Sequence, residues 1–410
     1  MKRINVGFLF LHPLSESLGS VVRVLGIARN LVKIDNRIRC FIFSPFEKSL
    51  KIQRDVYVVN IPFFSSGDLL GKRIYKTMRV GYYSRIAGGA QLKGIFNSNF
   101  ITRSIAKGFV KKTMKRGIKI DVLVIVQDFA IISGLLIARI LNLPTILDLH
   151  NLSLEEMVAS GTVSKNTPLY RHMEKKFSML LRLIDHIVVV SNFMREYLNE
   201  RFGIPNAKIT LVPPSGEVRI NKLPPRPRPY RLVYAGMVSY REHVDLFVKS
   251  LKFVQKEITD YTGYITRKGD MLSEIYRLIR MEKVNAKFFW FERIEDLNRF
   301  LKCCHVGALP SSGDVARRLG PPVKLFTYAS FGLPVVANYV GGWSDIIKKR
   351  EIGILTKDDP QDFAEGIVQL LSDKELYFSM ARNALDLIKS EYNWFVSAKK
   401  FYDVIQNFIS

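Results

Sequence analysis

Residues 320–337, Gly-Pro-Pro-Val-Lys-Leu-Phe-Thr-Tyr-Ala-Ser-Phe-Gly-Leu-Pro-Val-Val-Ala, constrain the fold of this chain more than any other stretch. Gly320, Pro321 and Pro322 break the chain, and prolines suit a helix only at its start, so 323–331 is expected to be a short helix. Gly332 follows the last turn, where a positive φ costs little without a Cβ. The apolar run 333–337 is bounded by turn signals and reads as a buried strand. A helix that opens after a loop and feeds into a buried strand gathers its free N–H groups at one point. That point suits a phosphate. Lys324, in the first turn, adds a positive charge beside it.

The same alternation runs through the chain. Strands are expected at 4–11, 38–44, 56–61, 122–126, 145–149, 186–190 and 209–212, with helices at 19–32, 130–141, 168–183 and 193–201. Near-continuous apolar strands between helices mean a parallel sheet covered on both faces. Such sheets bind ligands beyond the carboxyl ends of their strands. Six prolines between 213 and 230 mark a stiffened linker, and a second alternation runs from 232 to about 390. The segment 394–408 reads as a helix with Trp394, Val396, Phe401, Val404, Ile405 and Phe408 available for burial. The expected fold is therefore α/β, with two Rossmann-like domains. An N-terminal domain covers 1–212 with a basic insertion at 69–120. A linker spans 213–230, and a C-terminal domain covers 231–392 before a last helix at 393–410.

The 410 residues suit two domains, and 48% apolar with 24% charged residues is the composition of a folded globular protein. Cys40, Cys303 and Cys304 form neither a disulfide framework nor a metal-binding spacing, and the six histidines form no metal spacing either. No metal is expected. The apolar stretch at 6–11 is too short for a signal-peptide core. The longest one, 129–143, is interrupted by Arg139 and Asn142 and falls below the length of a membrane span. A soluble or peripheral, intracellular protein is expected. The net charge of +25 is unevenly placed, since 69–120 holds thirteen Lys or Arg residues and no Asp or Glu. Tyr75, Tyr82, Tyr83, Phe96, Phe100 and Phe109 are interleaved with them. Such a segment suits an anionic membrane surface, and a solvated basic surface is the alternative. No helix-turn-helix, zinc-finger or RRM signature accompanies the charge, so nucleic acid is not an expected partner.

The opening stretch closely resembles the nucleotide-sugar-binding segment of family 4 glycosyltransferases and their relatives, whose two Rossmann-like domains face each other across a cleft (the GT-B fold). In that family a helix carrying a glutamate precedes Gly-x-Pro-Val-Val-Ala. Gly341-Gly342-Trp343-Ser344-Asp345-Ile346-Ile347 resembles its Gly-Gly-x-x-Glu-Ile-Ile turn. Gly353-Ile354-Leu355, followed by Asp358-Asp359-Pro360, resembles its next strand and helix start. The resemblance implies transfer of a sugar from a nucleotide-diphosphate sugar to a lipid-linked or glycan acceptor on the N-terminal domain. It also implies retention of anomeric configuration, no cofactor and no required metal, and a last helix that crosses back onto the first domain. Together with the basic stretch it suggests a cytoplasmic enzyme, peripheral on the inner face of the cell membrane. A non-catalytic binding protein of the same fold is the alternative. A sugar-nucleotide 2-epimerase ranks third, having no use for a basic aromatic insertion.

The candidate site residues follow from these motifs. His150 ends the strand 145–149 at its carboxyl side and resembles the histidine the family aims at the donor sugar, a cap or turn residue being the bland reading. Gly19, with Ser20, takes the place of the family's glycine-containing turn. Ser191 matches its Val-Ser turn or simply caps the next helix. Gly236 follows a strand and allows close approach to a diphosphate. The family has Arg directly after that glycine and Lys five residues later, where this chain has Met237 and Glu242. Arg241 is the candidate substitute. The family's paired glutamates fall at Leu319 and Thr327, of which only Thr327 keeps a hydroxyl. Asp314 is the nearest carboxylate and the candidate to act in the site. Arg317, Arg318 and Lys324 make the pocket more cationic than usual, favouring a diphosphate-bearing ligand.

Overall fold

The run Val122–Val126 is apolar at all five positions, so it is stable only inside a sheet covered on both faces. In the computed structural model, which describes residues 2–12, 14, 19–61, 99–225 and 227–409, all five side chains are buried. The chain divides into two compact units, residues 1–213 with 394–410, and residues 214–393.

The first unit holds β1 (Ile4–Leu9), β2 (Ile38–Ser44), β3 (Leu50–Gln53), β4 (Val56–Asn60), β5 (Val122–Val126), β6 (Thr145–Leu149), β7 (His186–Val189) and β8 (Ile209–Leu211). Among the described residues they form one sheet in the order β3-β4-β2-β1-β5-β6-β7-β8. Every neighbouring pair is parallel except β3 with β4. β3 is half exposed and pairs only at the edge, so it lacks the apolar run that marks the other strands. Its helices are α1 (Gly19–Ile34), α2 (Asn99–Lys115), α3 (Ile131–Leu141), α4 (Ser153–Ala159), α5 (Pro168–Leu183) and α6 (Asn192–Phe202). The 69–98 part of the expected basic insertion lies outside the described residues, and α2 follows it. α4 was not expected from the sequence. Its start is fixed from a distance, as the Asp128 carboxylate accepts from the Ser153 N–H at 2.6 Å and from its hydroxyl at 2.5 Å. A cap supplied from 25 residues away leaves no local sequence signal.

The second unit holds β9 (Tyr230–Tyr234), β10 (Tyr261–Thr266), β11 (Ala286–Phe289), β12 (Val306–Leu309), β13 (Val335–Asn338) and β14 (Gly353–Thr356). They run in the order β11-β10-β9-β12-β13-β14, all parallel. Its helices are α7 (Val244–Glu257), α8 (Leu272–Glu282), α9 (Ile294–Leu301), α10 (Val315–Arg318), α11 (Val323–Ser330), α12 (Ser344–Arg350), α13 (Pro360–Ser372) and α14 (Lys374–Ser390). The helix and strand expected at 323–337 are α11 and β13. Between them Gly332 takes φ 59°, and the Leu333 N–H bonds back to the Tyr328 carbonyl, so the strand begins only at Val335. Part of the proline-rich segment is fastened to this unit rather than left as free chain. Gly216 N–H donates to the Tyr392 carbonyl and Arg219 N–H to the Ser330 carbonyl, each at 2.8 Å.

α15 (Trp394–Gln406) returns to the first unit and crosses α1. α1 buries Val21, Val24, Ile27, Ala28 and Leu31 at helical spacing. Trp394 lies over Gly26, where a Cβ would come 2.4 Å from the indole ring. Further along, Tyr402 donates to the Asp35 carboxylate at 3.0 Å. The Arg37 guanidinium is the main reason that Asp35 sits at about 2. Gly26→Ala should therefore destabilise the protein. The helix-propensity gain of about 1 kcal/mol is smaller than the roughly 1–3 kcal/mol of overpacking against a buried ring. Urea unfolding checks this, and a raised midpoint would contradict the packing of Trp394 on Gly26.

Candidate functional sites

In the first sheet the strand order reverses between β1 and β5, and the carboxyl ends of such strands face the natural crevice of an open parallel sheet. The chain leaving β5 passes through Gln127, whose φ of 74° and ψ of 155° belong to a region costly for any residue but glycine. The Gln127 side chain meets His150 at the end of β6. Its Nε2–H donates to His150 Nδ1 at 3.0 Å, and His150 Nε2–H donates to Asp148 Oδ2 at 2.8 Å. Both ring nitrogens are thus engaged, and the tautomer with hydrogen on Nε2 satisfies both bonds. Asp148 is also gripped by Arg23 of α1, through Nε at 3.1 Å to both oxygens and Nη2 at 2.8 Å. Arg23 reaches the Pro213 carbonyl at 3.2 Å as well. Only 2% of Arg23 and 1% of Asp148 are exposed, so each charge depends on the other. Leaving one unpaired costs about 3–5 kcal/mol.

The electrostatics agree with this arrangement. Burial alone would raise the Asp148 pKa, but Arg23 and His150 outweigh it and hold the carboxyl below its ordinary value. Burial pulls His150 below the usual histidine pKa, against the attraction of Asp148. His150 is therefore held in one orientation through both ring nitrogens, and burial favours its neutral form. Nearby, Glu155 of α4 is buried and accepts from Tyr197 at 2.6 Å and Tyr170 at 3.2 Å, with Lys165 at 3.0 Å. Glu156 accepts instead from Asn151. Gly19 is the first residue of α1. Ser191 caps α6, accepting from the Met194 N–H at 2.9 Å.

In the second sheet the order reverses between β9 and β12. Beyond their carboxyl ends lies a small pocket lined by Glu242, Leu309, Pro310, Ser311, Arg317 and Lys324, with room for about one water. Glu242 lies between two cations. One carboxylate oxygen pairs with Arg317 Nη2 and the other with Lys324 Nζ. Lys324 Nζ also donates to the Tyr234 hydroxyl at 3.1 Å and sits 4.4 Å from the centre of that ring. Burial first and Arg317 second push Lys324 well below the ordinary lysine pKa. Arg317 falls to about 10 through burial and the nearby Arg241. Burial also lowers Arg241, against Asp314 and Asp270.

Several of the expected site residues are engaged in other ways. Lys324 is not a free cation beside an anion, because Glu242 and Tyr234 hold it. Gly236 does allow a close approach, but to Lys324, whose Nζ would lie 2.9 Å from a Cβ there. Its N–H is already donated to the Thr266 hydroxyl at 3.1 Å. Asp314 caps α10, accepting from the Arg317 N–H at 3.1 Å, and also accepts from the Ser312 hydroxyl. Thr327 returns its hydroxyl to the Val323 carbonyl of its own helix at 3.2 Å. Leu319 is fully buried. Arg318 lies beside Gly341, where φ is 75°. The buried pair Arg23–Asp148 and the partly buried trio Glu242–Arg317–Lys324 were not foreseen. For the second there was a signal, the acidic residue standing where the family has lysine.

Each of these units is a doubly wound parallel sheet with polar groups beyond its carboxyl strand ends, and together they define the GT-B class of two Rossmann-like domains. Solved structures agree on the fold. Sucrose-phosphate synthase from Thermosynechococcus elongatus matches with a TM-score of 0.73 at 14% identity, covering 99% of each chain. HepE of Anabaena in complex with UDP and glucose matches at 0.69 and 14%, covering 98% of this chain and all of that one. Residues 19–215 match the family described as Glycosyltransferase Family 4, and 229–373 the family described as Glycosyl transferases group 1. An uncharacterized glycosyltransferase of Methanocaldococcus jannaschii is 22% identical over 283 residues, 67% of this chain and 72% of that protein. The chain belongs to the family 4-like glycosyltransferases.

The turn that carries Glu242 is anchored by His243, whose φ is 51°. Its Nδ1 lies 3.0 Å from Asp245 and its Nε2 2.7 Å from Asp358. The Asp245 hydrogen bond is the main reason its pKa is raised above the ordinary value. The imidazolium therefore contributes stability that is fully present below about pH 6.5 and is lost as pH rises through the raised pKa. His243→Asn keeps a residue that tolerates this φ. The stability gap between the wild type and this variant, read by urea unfolding, should be largest near pH 6 and shrink in alkali. A gap independent of pH would remove the charged histidine from the turn.

Proposed function

We propose that this glycosyltransferase moves a sugar from a nucleotide-diphosphate sugar to a lipid-linked or glycan acceptor at an anionic membrane surface, with retention of configuration. The observation that carries the donor half is the pocket beyond β9 and β12, with Arg241, Arg317 and Lys324 gathered about it. Structures of HepE with UDP-glucose and of a trehalose-6-phosphate protein from E. coli with UDP-2-fluoro glucose, both of this fold, support a uridine nucleotide as the first to try. Catalysis is mainly electrostatic. As the diphosphate leaves, its growing charge is met by fixed cations, which need no reorganisation at the moment of reaction. Those side chains supply the positive charge, so the proposed reaction uses no metal ion. Thr327 offers the nucleotide a neutral hydroxyl in place of a carboxylate. His150, held in one orientation by Asp148 and Gln127, is the proposed polar contact for the transferred sugar.

Calorimetry with a panel of nucleotide sugars tests the donor reading, which falls if the folded protein binds none of them. Lys324→Ala should weaken UDP or GDP binding by about 1.5–3 kcal/mol, the range for a hydrogen bond to a charged group. Unchanged affinity with an intact fold would take Lys324 out of the site.

For the membrane half, the support comes from α2. Phe100, Arg103, Lys107, Lys111 and Met114 recur at three- and four-residue spacing along its exposed face, with Phe100 56% and Met114 74% exposed. Among the described residues no helix is long and apolar enough to cross a membrane. The proposed association is peripheral, on the cytoplasmic face. Replacing Lys111, Lys112, Lys115 and Arg116 with Gln should lower sedimentation with anionic liposomes and leave nucleotide affinity alone. The loss should be greatest at low salt, since these charges are screened over about 8 Å at physiological ionic strength. Equal, negligible binding of the wild type to neutral and anionic vesicles would point to a soluble acceptor.

A further inference from the structure

Glu242 is the one carboxylate among the residues that line the pocket beyond β9 and β12. Its side chain is 14% exposed, and its two oxygens are divided between Arg317 and Lys324. A carboxylate and a phosphoryl group present the same kind of acceptor to such a pair of cations. The pocket that remains holds about one water, too little for a phosphate.

The backbone around Glu242 is pinned on both sides. Val238 N–H donates to the Lys268 carbonyl at 2.7 Å, and the Val238 carbonyl accepts from Met271 at 3.1 Å. The Arg241 carbonyl accepts from the Ser312 hydroxyl at 3.0 Å, and His243 is tied to Asp245 and Asp358. With the backbone held, displacement falls to the Glu242 side chain, which also accepts from the Tyr234 hydroxyl at 3.1 Å. Of the cations it would release, Lys324 is held by the Tyr234 hydroxyl, and the Arg317 backbone is held in α10, where its carbonyl accepts from Trp343 Nε1–H at 2.9 Å. Among the described residues the Arg317 Nε is also buried with no hydrogen-bond acceptor. A buried N–H of that kind calls for an acceptor the chain does not provide.

We propose that Glu242 is a resident anion: its carboxylate occupies the position between Arg317 and Lys324 that a phosphoryl group takes, and a phosphoanhydride binds by displacing it. This deepens, and rests on, the reading of the pocket as the diphosphate site. The displaced carboxylate turns toward solvent, and the Arg317 Nε gains its acceptor. The resident anion also keeps two partly buried cations compensated while the site is empty, at the expense of ligand affinity.

Calorimetry with inorganic pyrophosphate tests this without asking for catalysis. Glu242→Gln should bind pyrophosphate about tenfold more tightly than the wild type or better, a full decade in Kd. Equal or weaker binding by a folded Glu242→Gln protein overturns the proposal, because the carboxylate is then only a structural counterion. Near-UV circular dichroism establishes folding. If that variant does not fold, Glu242→Asp decides, as it keeps the charge but is one methylene too short to hold both cations. A smaller gain supports displacement, and no gain refutes it. The nucleotide-sugar panel separates the two ideas. Tighter pyrophosphate binding with no affinity for any nucleotide sugar keeps the resident anion and sinks the donor reading. A wild type that binds a nucleotide sugar, beside a Glu242→Gln variant with no gain, does the reverse.

Discussion

Burial of parallel strands on both faces governs most of what this chain does. A run such as Val122–Val126 exposes nothing to water, so such strands are followed by a helix that covers the sheet before the next one enters, β2 and β4 at the edge being joined through β3 instead. The alternation brings the carboxyl ends of all such strands to one edge. Where the order reverses, at β1 and β5 in one sheet and at β9 and β12 in the other, the covering helices diverge and leave a crevice. Both constellations of polar residues stand at those edges. The cost of the architecture is that any charge near the edge is nearly dry, and a dry charge needs a partner.

The two sites meet that need in different ways. In the first unit Arg23, Asp148, His150 and Gln127 form a chain of bonds in which each polar atom is used. Such a network holds one tautomer and one ring orientation, which suits presenting a fixed dipole more than exchanging protons. In the second unit two cations share one carboxylate, leaving net positive charge beyond β9 and β12. That excess is what an anionic ligand is drawn to, and the shared carboxylate is what it must compete with.

Much of the fold was legible in the chain alone. Strands at 38–44, 122–126 and 145–149 agree residue for residue with β2, β5 and β6, because the apolar runs are bounded by polar or turn residues. The helix after Gly320-Pro321-Pro322 was readable for the same kind of local reason. β3 was not, since a short exposed edge strand has no pattern of its own. α4 escaped because its cap comes from Asp128, far away in sequence. The site was legible by position but not by partner. His150 and Lys324 could be marked as residues beyond strand ends, yet nothing local announces that Arg23 lies 2.8 Å from Asp148 across 125 residues, or that Tyr234 supports Lys324 across 90.

The amino-acid sequence by itself determined the alternation of strand and helix, the helix that begins at Val323 and closes at Gly332, and the family to which the chain belongs, since these rest on local propensity and on short motifs. Tertiary structure alone decided where the charges end their search for partners. It laid the Lys324 side chain against Gly236, gave Asp314 to a helix cap, and set Glu242 between Arg317 and Lys324. The physical reason is that pairing in a low-dielectric site depends on distances of a few ångströms between segments far apart in the chain, and those distances exist only once both sheets have closed.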